Sequence, residues 1–200
     1  MTLPKVTTMS LIAYHQNCLV TDRRFVTEIS AGHTTIVHKP KFRIHPSRTV
    51  AFGYSGQEPS PATLEAVAAV FLLLTFSTES PKAILKEDAI EKVIQYACKV
   101  GGHGNLYVII THLGAYRLDS EGGFKALHRD RPFAYGSGCI AYETAALAGA
   151  SIERAVRITS RVDLMVSPEY DVVAQTDLVP FKPANHAMAL SALVNLAKAN

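Results

Sequence analysis

The chain has no tryptophan and only three cysteines in 200 residues. Cys18, Cys98 and Cys139 lie too far apart for a disulfide framework or a zinc site, which points to a reducing, cytoplasmic compartment. None of the eight histidines falls in an HxxxH pair, and the chain contains no HExxH, CxxC, P-loop or dinucleotide-binding motif. No cofactor and no metal are therefore expected. Long apolar runs are also missing. The longest, Ala66 to Phe76, is about half of what a membrane-spanning helix needs, so a buried helix is expected there and no membrane partner. Residues 1–9 (MTLPKVTTM) lack an apolar signal-peptide core, so no secretory signal is expected. The net charge is only +3 and its basic residues are scattered, which argues against nucleic-acid binding. No internal repeat, low-complexity tract or linker divides the chain. With 48% hydrophobic residues it has the apolar surface for one sizeable core.

Short strand signals crowd the first third. Segments rich in Val, Ile, Thr and Phe, bounded by Gly, Pro or Asn, predict strands at Ser10–His15, Cys18–Arg24, Phe25–Ser30, Thr34–His38, Lys41–His45 and Thr49–Tyr54. Pro59 and Pro61 introduce a helix over about 62–76, and helical spacing of Ile84, Ile90, Val93, Ile94 and Ala97 predicts a second after Pro81. Further strands are expected at Asn105–Thr111, Ala115–Leu118, Phe124–Leu127, Phe133–Tyr135 and Tyr170–Gln175. Helices are expected at about Ile140–Gly149, at Ser151–Val162 with Ser151 as its cap, and at 184–199. Strand blocks alternating with helix pairs do not follow the regular βα order of a parallel-sheet fold. They suit an α+β fold in four layers, αββα: two antiparallel sheets face to face, with helices on both outer faces.

Chemistry concentrates at the start. Met9-Ser10-Leu11-Ile12 opens a hairpin around Gln16-Asn17, and Thr21-Asp22-Arg23 closes it. Lys41 follows on a later strand, and then the small-residue run Gly53-Tyr54-Ser55-Gly56. A hydroxyl, an Asp and a Lys gathered by adjacent strands can make a nucleophile without a histidine, and this points to amide hydrolysis by an N-terminal residue.

These residues resemble the proteasome β-subunit-type N-terminal-nucleophile hydrolases, closest to the short proteasome-like proteins of bacteria and phages. The match covers Ser10, Thr21-Asp22-Arg23, Lys41 within Lys39-Pro40-Lys41-Phe42-Arg43-Ile44, Gly53-Tyr54-Ser55-Gly56, Gly136-Ser137-Gly138 and Asp163, and it runs from about residue 9 to residue 175. The resemblance implies a peptidase or amidohydrolase in which Ser10 attacks an amide carbonyl and its own freed α-amine takes the proton. It implies that Lys41 lowers the pKa of that amine and hydroxyl, that Asp22 holds Lys41, and that Ser137 and Asp163 complete a hydrogen-bond network. Backbone N–H groups at Ser55 and Gly56 would form the oxyanion hole. Residues 1–9 would be an N-terminal extension or propeptide before a single domain, 10–200. The implied partners are peptide or unfolded-protein substrates and further copies of the chain in a ring.

Ser replaces the usual Thr at position 10, and Leu164-Met165-Val166-Ser167-Pro168 stands where the family has a small-residue turn. Thr7 or Thr8 is the alternative nucleophile, and Lys39 is the rival of Lys41. A catalytically inactive relative that keeps its extension and serves as a ring or virion component is the second reading, and a small-molecule amidase the third. Location follows function: cytoplasmic for the enzyme, virion-associated for a phage structural protein.

Overall fold

In a computed structural model the described residues are 10–30, 33–56, 106–119 and 124–180. The helices expected over 62–76, after Pro81 and over 184–199 lie outside them, as do residues 1–9 with Thr7 and Thr8. Eleven strands are described: β1 Leu11–His15, β2 Cys18–Asp22, β3 Arg24–Ser30, β4 His33–His38, β5 Phe42–Ile44, β6 Val50–Ser55, β7 Leu106–Thr111, β8 Ala115–Asp119, β9 Phe124–Leu127, β10 Phe133–Gly136 and β11 Tyr170–Ala174. Two helices accompany them, α1 Cys139–Leu147 and α2 Ile152–Val162.

The strands form a four-stranded sheet in the order β10-β1-β2-β11, a five-stranded sheet β5-β6-β7-β8-β9, and the separate hairpin β3-β4. Every strand pairing among the described residues is antiparallel. The β1–β2 connection is two residues long. Gln16 and Asn17 both take positive φ, 53° and 61°, the turn geometry whose twist matches two antiparallel strands.

All five residues of β1 are buried, because layers cover it on both sides. Side chains alternate across a strand. Leu11 and Ala13 join Val20, Tyr142, Ala155 and Val156 in the cluster beneath α1 and α2. Ile12 and Tyr14 point the other way, into a second cluster with Leu19, Ala51, Val108 and Ile110 of the opposite sheet. Two antiparallel sheets thus sandwich one core, and a helix pair covers the outer face of the four-stranded sheet. Gly53 lets β6 come close to the hairpin: a Cβ there would stand 2.8 Å from Thr21 Cγ2 and 3.0 Å from Ile12 Cδ1.

The helix pair follows local rules. Ser151 caps α2, its Oγ accepting the Arg154 N–H at 3.3 Å, with Glu153 in the first turn and Arg161 in the last, each suiting the helix dipole. α1 begins at Gly138, with no side-chain cap. Among the described residues, no helix is long and apolar enough to cross a membrane.

Candidate active site

The site forms where the first sheet meets the second. The hairpin register places Ile12 opposite Thr21, so Ser10 and Asp22 end up together at the open end of β1–β2. Asp22 is completely buried and accepts four hydrogen bonds. Its Oδ1 takes the Leu11 N–H at 2.8 Å and the Lys41 ammonium at 2.6 Å. Its Oδ2 takes the Arg24 N–H at 3.0 Å and the Ser167 N–H at 3.2 Å. The bond to Arg24, two residues on, is an Asx turn. It ends β2 at Asp22, where the sequence pattern had run the strand on to Arg24, and it starts the β3–β4 hairpin in a new direction.

Lys41 is 1% exposed. Burial is the larger influence on its ammonium and lowers its pKa below the usual lysine value, while Asp22 opposes the shift. The side chain also lies over the Phe25 ring, with Nζ 5.0 Å from the centroid. Lys41 sits just before β5, and its carbonyl still accepts the Tyr54 N–H at 3.1 Å. Backbone therefore ties the lysine to the Gly53–Gly56 motif. Its rival Lys39 lies over the same ring, with Nζ 4.5 Å from the centroid, while Lys41 makes the bond to Asp22.

Ser10 is buried, and its Oγ lies 2.8 Å from the Ser55 Oγ. Ser55 closes β6, and Gly56 after it turns the chain with φ +115°. On the other side Gly136 pairs with Leu11 at φ +104°. A Cβ at Gly136 would fall 1.5 Å from the Ser10 carbonyl oxygen, so only glycine fits against the backbone there.

The structure thus brings Ser10, Asp22, Lys41 and Ser55 together, with Gly56 adjoining Ser55. Ser137 is exposed in the turn before α1, and none of the hydrogen bonds just described involves it. Asp163 caps the end of α2, and its Oδ1 accepts the Met165 N–H at 2.8 Å. Its Oδ2 is buried without a hydrogen-bond partner among the described residues. Two contacts were not foreseen from the sequence: the Ser55 hydroxyl on Ser10, and Ser167 on Asp22. The displaced small residue after Asp163 was the signal for Ser167. Ser55 had been expected to act through its backbone only. Among the described residues, no three His, Cys, Asp or Glu side chains gather as a metal site.

No protein-family model matches the chain, and no curated protein does. Solved structures do. Eukaryotic HslV from Trypanosoma brucei superposes with a TM-score of 0.52 at 17% identity, over 83% of this chain and 98% of that one. BPH of Thiobacillus denitrificans gives 0.47 at 12% identity, over 88% and 100%. Anbu, the ancestral beta-subunit from Yersinia bercovieri, gives 0.49 at 12%, over 96% and 94%. The likeness to HslV shows a shared fold, and the resemblance to proteasome-like chains read from the residues holds at that level.

Proposed function

We propose that the chain is a proteasome-like N-terminal-nucleophile peptidase or amidohydrolase, with Ser10 as nucleophile once residues 1–9 are removed. The observation that carries this reading is the buried Lys41–Asp22 pair, whose carboxylate is anchored on the N–H of the residue next to Ser10. Cleavage of the Met9–Ser10 bond frees an α-amine, a base with an ordinary pKa near 8. Ser10 Oγ attacks the carbonyl carbon of the substrate amide, and its proton passes to that amine. Backbone N–H groups at Ser55–Gly56 receive the negative charge developing on the carbonyl oxygen. The amine then protonates the leaving nitrogen, and water hydrolyses the Ser10 ester. Lys41 acts electrostatically: a desolvated cation favours the ionised hydroxyl and the unprotonated amine. The Ser55 hydroxyl orients Ser10, a task for which Thr has its extra methyl.

The reading extends to a four-layer sandwich and to a homo-oligomeric ring acting on peptides or unfolded chains. Ile140, Val162 and Leu164, 71–79% exposed around the ends of α1 and α2, support subunit packing. Size-exclusion chromatography with light scattering should give an oligomer, and Leu164→Asp should shift it to smaller species.

Two observations favour the inactive scaffold as second reading: Ser137 is exposed, and Asp163 turns into its own loop. Intact mass and N-terminal sequencing separate the two. A chain beginning at Ser10, with amidase activity lost in Ser10→Ala, is the expected result. A chain that keeps residues 1–9, or a fully active Ser10→Ala protein, rules out this assignment.

A further inference from the structure

A concave feature lies apart from Ser10, Asp22, Lys41 and Ser55, none of which lines it. It is a groove of about 450 Å³ between the β8–β9 edge of the five-stranded sheet and the segment running from β9 through β10 to α1. Strand alternation explains its character. Ala115 of β8 belongs to the core between the sheets, and Leu127, its partner on β9, packs against that core. Two residues along each strand, on the same face, stand Arg117 and Lys125, paired directly opposite each other. Along these two strands apolar core gives way to two facing cations. Like charges in that position repel. His128 and Arg131 line the groove as well.

One acid shares this wall with Arg117, Lys125 and Arg131, so positive charge is in excess. Glu143 lines the groove, but its Oε1 accepts the Ala134 N–H at 2.7 Å. Arg117 Nε is buried without a hydrogen-bond partner among the described residues. A buried donor left unpaired is costly, and the Nε edge of a guanidinium suits two parallel bonds to a carboxylate or phosphate. Phe133, Leu127 and Leu147 supply apolar wall beside the cations. We propose that this groove binds a small organic anion, a carboxylate or phosphate monoester on an apolar body, with Arg117 and Lys125 holding the charged group.

The probes are benzoate and phenyl phosphate, titrated calorimetrically at low salt, with benzyl alcohol as the neutral comparison. The expected result is binding of at least one anion with a Kd on the order of 1 mM, and none of the alcohol. Arg117→Met should weaken it tenfold or more. Lys125→Met, at an exposed position where folding is not at stake, should weaken it severalfold. Ser10→Ala should leave it unchanged. A tighter phenyl phosphate identifies a phosphate ester as the ligand class, and a tighter benzoate a carboxylate. Failure of both anions to bind, or equal binding by the two cation variants or by the alcohol, overturns the proposal.

Discussion

At the scale of single residues, the pair of lysines flanking Pro40 gives the sharpest contrast. Lys41 is buried against Asp22, and removing one partner of a buried pair leaves a charge without its counterion. Lys41→Met should therefore destabilise the protein by about 3–5 kcal/mol in urea unfolding. Lys39 lies over the Phe25 ring and is partly exposed, so Lys39→Met should cost at most about 1 kcal/mol. Equal costs would mean that Asp22 does not single out Lys41. Ser10, Asp22 and Lys41 were legible in the sequence because a two-residue turn and a chain of short strands determine which residues can meet. The contacts of Ser55 on Ser10 and of Ser167 on Asp22 were not, because they close over 45 and 145 residues, and the displaced small residue at Ser167 marks a position without naming its partner. Ser137 and Asp163, marked by local motifs, take no part in the hydrogen bonds that gather on Asp22 and Ser10.

At the scale of elements, every strand expected within the described residues is present, with its ends within two positions of those expected. Periodicity and turn residues carry that much. The shifts have physical causes, such as the Asx turn that ends β2 and the short pairing of β5, which reaches only from Phe42 to Ile44. The second helical layer of the expected sandwich falls outside the described residues. The β1–β2 turn offers a direct test. Gln16 holds a left-handed conformation that asparagine adopts more readily. Gln16→Asn should raise stability by a few tenths to about 1 kcal/mol, read as a higher melting temperature. An unchanged or lower value would show that the turn does not carry the strain assigned to it.

Across the whole molecule, acid sensitivity should trace in part to His15. It closes β1 among buried groups, with Nδ1 3.4 Å from the Tyr142 hydroxyl. Burial lowers its pKa below 6.5. Between that lowered value and 6.5 the unfolded chain binds more proton than the folded one, so stability rises with pH through this window and falls on acidification. Denaturation curves from pH 7.5 down to pH 5.5 should show the loss, and His15→Gln should flatten it. An identical slope in the variant would place the sensitivity elsewhere.

The four donors on Asp22 come from β1, from the start of β3, from the approach to β5, and from the loop between α2 and β11. That carboxylate therefore works as a coincidence detector for tertiary structure. No half-built chain can satisfy it, because each missing segment strips away a different donor. Under the proposed function, with cleavage before Ser10 drawing on the same groups, the protein would acquire its nucleophile only after its architecture is complete. An unfinished molecule is then a harmless one.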